Sequence, residues 1–180
     1  MSRPPRARES VLDAFESLLV DDGERAATMD ATAHAAGVSK GGLLYHFASK
    51  DALERGLLDR LETLVDEDLG QMAAAPEGTV AYYLRTSVMD GDPLDRALIA
   101  TSRLAQGGRA DAAEALQRVR ARWADALRPH VRDEAALALV LLVSDGLYYN
   151  NALSSDPVSG PVPRGAALDA LIALVEASAH

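Results

Sequence analysis

Apolar residues recur at intervals of three and four along most of this chain, and strict alternation is rare. That spacing predicts amphipathic helices, not strands. A first helix is expected from Arg8 to Asp22, with Val11, Ala14, Phe15, Leu18 and Leu19 on one face and Gly23 as its stop. Thr28 has the chemistry of an N-cap for a short helix to Ala36, and Gly37 can take the left-handed conformation that a tight turn demands. Ser39 can cap a second short helix ending near Phe47. Ser49 then opens a long helix through Leu53, Leu57, Leu61, Leu64 and Leu69, which gives out before Pro76. Five more helices are predicted near Thr79–Met89, Pro93–Ala105, Asp111–Val131, Asp133–Leu153 and Arg164–Ala177. The breaks among them are Asp-Gly-Asp-Pro at 90–93, Gly107-Gly108 and the Ser154–Pro163 segment. Nine helices and no convincing strand predict an all-α protein.

Composition narrows the chemistry. With no cysteine, a disulfide scaffold, a thiolate zinc site and a cysteine nucleophile are all excluded. The four histidines are scattered without ligand spacing, and Asp66-Glu67-Asp68 reads as a solvated turn of helix, so no metal or other cofactor is expected. The longest strictly apolar run, Ala135 to Val143, falls far short of the roughly 18 residues of a membrane span. The N-terminal Met-Ser-Arg-Pro-Pro-Arg has no apolar stretch behind it and is not a secretory signal. A cytoplasmic location is the default expectation.

A net charge of −9 argues at first against a nucleic-acid partner. The charge is unevenly spread, however. Residues 1–50 carry six lysines and arginines against seven acids, whereas residues 51–180 carry twelve against twenty. The acidity belongs to the C-terminal part, and its repulsion is damped beyond a Debye length of about 8–10 Å. The basic N-terminus (Arg3, Arg6 and Arg8) reads first as a solvated tail with at most phosphate attraction, and alternatively as a minor-groove arm.

The run from Gly37 to Leu53 carries the most specific chemistry. Residues 28–47 have the layout of a helix–turn–helix, whose second helix enters the major groove N-terminus first. Val38, Leu43 and Phe47 are expected to anchor that helix, with Ala33 small enough for close approach. Ser39, Lys40, Gly41, Gly42, Leu44, Tyr45 and His46 are left facing DNA. Lys40 can donate to guanine N7 and O6 or to phosphate, Ser39 can bond either, and the two glycines permit close backbone approach. Tyr45 and His46 are placed for phosphates. Thr28 and Lys50 stand at helix N-termini that favour anions.

Gly37-Val38-Ser39, Gly41, Leu43, Tyr45-His46-Phe47, Lys50 and Leu53 closely resemble the signature of the tetracycline-repressor (TetR) family of transcriptional regulators. The resemblance implies DNA contacts at these same positions. It divides the chain into a DNA-binding domain at residues 1–50 and a helical effector-binding and dimerisation domain at 51–180. Two departures stand out. Thr32 replaces a usual β-branched aliphatic residue, which predicts looser packing, and Gly42 replaces a frequent Thr or Asn, which removes a possible base contact.

The C-terminal part offers two further features. The helix near 133–153 is apolar nearly all round and needs neighbours on both faces. With the helix near 164–177 it is expected to form a homodimer interface, as the resemblance implies. Symmetric pairing would set two recognition helices roughly 34–36 Å apart on a palindromic operator. Beyond the head the aromatic residues are Tyr82, Tyr83, Trp123, Tyr148 and Tyr149, with no Phe. Tyr and Trp join an apolar body to a polar handle, which suits a ligand pocket, and Asp145 lies four residues before Tyr149 on one helical face. The resemblance implies a small-molecule effector here, and the acidic domain favours a neutral or cationic one over an anion.

The expected function is therefore a ligand-responsive repressor that is not an enzyme. A ligand-independent DNA-binding dimer, either a constitutive repressor or an architectural protein, is the alternative. Gly37 to Gly41 also spells the Gly-x-Ser-x-Gly of a hydrolase elbow, and His130 with Asp145 would complete a triad. That elbow needs a strand running into a strained turn, and Asp30 to Ala36 is helical in pattern, so the enzyme reading fails.

Overall fold

The local signals translate directly into elements. The computed structural model describes residues 4–152 and 160–179, and among them are nine α-helices and no strand. They are α1 (Pro4–Asp21), α2 (Met29–Ala35), α3 (Lys40–His46), α4 (Lys50–Ala74), α5 (Thr79–Thr86), α6 (Pro93–Gln106), α7 (Ala110–Leu127), α8 (Glu134–Ala152) and α9 (Ala166–Ala179). No helix among the described residues is long and apolar enough to cross a membrane.

Caps fix the boundaries. Thr28 Oγ1 accepts from the Ala31 amide at 3.2 Å, Ser39 Oγ from Gly42 at 3.1 Å, Ser49 Oγ from Ala52 at 3.1 Å and Asp133 Oδ1 from Ala136 at 2.8 Å. Each side chain satisfies an amide that the first turn of a helix leaves without a partner. Two boundaries lie four residues from the sequence expectation, and α5 stops at Thr86, short of the expected Met89. The seventh helix stops at Leu127 and tightens into a 3-10 turn at Arg128–His130, because Pro129 has no amide proton to continue the ladder. The first helix begins at Pro4, four residues early, since proline in a first turn forfeits no hydrogen bond. Arg8 is therefore helical, with its guanidinium 5.1 Å above the Phe47 ring, and is not part of a solvated tail. Arg3 and the Arg6 side chain lie outside the described residues, as does most of the predicted break at 154–163.

The helices pack as two compact units. One comprises Met1–Leu64 with Pro93–Arg118, the other Val65–Asp92 with Val119–His180. The core of the first is Val11, Leu12, Phe15 and Leu19 of α1 closed by Leu43, Phe47, Leu53, Leu57 and Leu104. The buried stripe of α1 is rotated from the expected one: Leu12 and Glu16 are inside, while Ala14 and Leu18 are only half-buried. In the second unit Met72, Tyr83, Leu84, Val140, Leu147, Leu168, Ile172 and Val175 form the core, with α5, α8 and α9 in mutual contact.

Candidate functional site

The turn between α2 and α3 is built by two backbone bonds. The Val38 amide donates to the Ala33 carbonyl at 3.0 Å, and the Gly37 amide to that of His34 at 3.1 Å. This paired pattern terminates a helix when the residue between is left-handed, and Gly37 has φ +66°. The turn presents α3 with Leu43 and Phe47 buried and Val38 partly so. Thr32 is fully buried, with its hydroxyl donating to the Thr28 carbonyl at 2.8 Å, so a polar atom enters this core already satisfied.

Opposite that buried stripe, Thr28, Ser39, Lys40, Gly41, Leu44 and Tyr45 are exposed, and Gly42 and His46 are half-buried. Tyr45 is 82% exposed, with its ring edge-on to His46 at 5.1 Å. Thr28 and Ser39 use an oxygen lone pair for capping, and each keeps a hydroxyl proton to donate. A Cβ on Gly42 would lie 3.3 Å from Ser39 Oγ, whereas one on Gly41 would meet nothing within 4 Å. The two lysines are not free. Lys40 Nζ pairs with Asp30 at 2.9 Å, and Lys50 Nζ with Glu24 at 2.7 Å and Glu54 at 3.8 Å. The Lys50 contact lowers the pKa of Glu24.

In the second unit the predicted aromatic residues divide. Tyr83 is buried against Trp123, ring centroids 5.9 Å apart, and burial raises its pKa. Tyr82 OH donates to Asp68 Oδ1 at 3.1 Å, and Trp123 Nε1 to Asp68 Oδ2 at 2.8 Å. Burial beside Asp68 pushes the Tyr82 phenol up to about 12. Tyr148 is half-buried. Asp145 and Tyr149 instead sit on the outer side of α8, where Asp145 pairs with Arg120 and Tyr149 is 63% exposed. Asn150 and Asn151 are committed to backbone: Asn150 Oδ1 accepts from Gly160 at 3.1 Å, and Asn151 Nδ2 donates to the Met89 carbonyl at 3.2 Å.

Two family models match the sequence. Bacterial regulatory proteins of the tetR family match residues 11–55, and the tetracyclin repressor-like C-terminal domain matches residues 77–176. The chain belongs to the TetR family. Solved structures share this fold. A protein of Streptomyces coelicolor A3(2) described as a transcriptional regulator is 25% identical, with a TM-score of 0.61 over 97% of this chain and 96% of its own. Salmonella enterica GusR is 19% identical, with a TM-score of 0.65 over 98% of this chain and 97% of its own. A chain of Rhodococcus sp. described as a TetR-family regulator is 20% identical, with a TM-score of 0.58 over 95% and 99%. No curated protein matches the sequence.

Sequence reasoning about this TetR chain missed the acids. Asp66 pairs with Arg122 as surface residues do, but Asp68 is only 9% exposed and is no part of a solvated turn. Its burial was hidden because it shares a charged run with two exposed neighbours; its spacing seven residues after Leu61 was the available signal. Glu16 was missed likewise. It is buried between Arg60, 3.5 Å away, and Arg96 at 3.1 Å, and desolvation raises its pKa against the pull of both guanidinium groups. These groups line a groove of about 750 Å³ along α1, α4 and the start of α6, where Arg60 also holds Glu9 and Asp13 at 2.7 Å. Its buried carboxylate is answered by cations of the same unit, which marks it as an ion-pair lattice bracing the head.

Proposed function

We propose that this TetR-family chain is a homodimeric repressor that grips a palindromic operator with α3 and is released by a small molecule. The observation that carries this reading is the segregation of α3. Leu43 and the capping Phe47 are spent on the core, while Ser39, Lys40, Gly41, Leu44 and Tyr45 form one exposed, mixed polar and apolar face. That is the chemistry of base-edge and phosphate contact. Lys40 and Ser39 carry the direct readout, Tyr45 and His46 hold phosphates, and Thr28 and Lys50 add contacts at helix starts, with Lys50 exchanging Glu24 for phosphate. Residues 1–50 serve as the DNA-binding domain, and 51–180 as the effector and dimerisation domain.

Dimerisation is supported by the outer faces of α8 and α9. Ala135, Ala138, Leu139, Leu142, Gly146 and Tyr149 form one exposed stripe, and Ala170, Ala173, Leu174 and Ala177 another. Leu142 is 66% and Leu174 65% exposed in the single chain, large apolar groups for a soluble surface. Small residues around them allow close helix approach.

The test is a mobility-shift assay of the double variant Lys40→Ala with Tyr45→Ala. Sequence-selective binding should be lost while the dimer persists; unchanged binding would overturn the assignment of α3. Operator DNA that no compound releases would favour a constitutive repressor.

A further inference from the structure

The buried glutamates of the first unit have cations beside them. Glu16 lies between two arginines, and Glu54 faces Arg109 at 3.1 Å and Lys50 at 3.8 Å. Asp68 in the second unit is different. Among the described residues its hydrogen-bond donors are the Tyr82 hydroxyl and the Trp123 indole, both neutral. Asp92, of like sign, also acts on it. Each oxygen has one donor, which leaves acceptor capacity on both. Around it stand the ring of Trp123, the Tyr83 ring packed on that indole, and the half-exposed Tyr82.

A buried negative charge without a counter-charge is unfavourable, and folds usually remove it by pairing or substitution. The deficit here is one positive charge, in surroundings of aromatic faces that themselves attract cations. We propose that the second unit binds a hydrophobic organic monocation, an amine whose ammonium group pairs with Asp68 and whose apolar body lies against Trp123, Tyr82 and Tyr83. This rests on the reading of residues 51–180 as the effector domain and specifies the effector's class. Asp68 supplies the charge selection. Trp123 and Tyr82 hold the carboxylate in place and offer ring faces to the ligand.

Trp123 is the only tryptophan, so its emission reports this site alone. The dimer as purified is titrated at pH 7 with 4-phenylbutylamine, 4-phenylbutanol and 4-phenylbutyrate, one skeleton carrying positive, zero and negative charge. The amine should give a saturable change with an affinity at least about tenfold above the alcohol and the acid. Asp68→Asn should bring the amine to the level of the alcohol. Equal affinities, a preference for the acid, or no saturable response to the amine up to about 10 mM would overturn the proposal. So would an amine preference that survives in a folded Asp68→Asn. The wild-type comparison decides the matter even if the variant does not fold. Operator release is scored in parallel. Selective amine binding without release sustains the site and defeats the effector reading, whereas release by the alcohol or the acid sustains that reading and defeats the cation.

Discussion

Asp68 has no cation paired with it among the described residues, and the cost of its burial predicts a pH dependence. Burial raises its pKa above 3.8, and hydrogen bonds from Trp123 and Tyr82 only partly pull it back. A carboxyl that ionises less readily in the folded than in the unfolded chain favours folding while protonated. That contribution is fully present below the ordinary value and lost as pH rises through the raised one. Asp68→Asn abolishes the loss. Its amide oxygen can accept from Trp123, while its NH₂ donates to a Tyr82 hydroxyl that turns to accept. The variant should melt at or above the wild-type temperature at pH 7, with the two melts converging as pH falls toward 3.8; a lower Tm at neutral pH would contradict this account. On the DNA side the acids act in the opposite sense. Asp30 lies 2.9 Å from Lys40 and, on the proposed reading, would compete with phosphate for it. Asp30→Asn should tighten operator binding about threefold at low salt, with the gain shrinking as salt rises. Fluorescence anisotropy on labelled operator would measure it.

At the scale of elements, α4 meets the head through a missing side chain. A Cβ on Gly56 would fall 2.7 Å from Phe47 Cε1 and 3.3 Å from Leu12 Cδ2, so the helix approaches the ring as only glycine permits. Phe47 cannot move away easily, being buried and covered by Arg8. Gly56→Ala gains up to about 1 kcal/mol of helix propensity but overpacks the contact, for a net loss of about 1–2 kcal/mol in denaturant unfolding. Equal or greater stability would mean that the ring yields. The elements themselves were readable because their ends rest on local chemistry: Thr28, Ser39 and Ser49 cap, Gly37 turns, and none needs a distant partner. The exposed face of α3 was readable for the same reason, since Leu43 and Phe47 fix which side of a seven-residue helix is left outside. The buried acids were not. Glu16 and Asp68 are buried against residues dozens of positions away, such as Arg60, Arg96 and Trp123; the spacing of Asp68 from Leu61 marks its face but not those partners.

For the whole molecule the proposed dimer gives the sharpest test. Leu142→Glu with Leu174→Glu places like charges on a face that the single chain leaves open, so each protomer should keep its helicity. Sedimentation should show a monomer, and operator affinity should collapse because one head reads only half a palindrome. A dimer that persists would place the interface elsewhere. The paired lysines of the head bear on a different matter, how such a protein finds its target. On arbitrary duplex only phosphate attraction is on offer, and Lys40 and Lys50 would trade Asp30 and Glu24 for another anion with little gain. Random chromosome would then hold the proposed repressor loosely. Long slides along the wrong DNA would give way to direct encounters from solution, and few copies would be lost to the genome's competing sites.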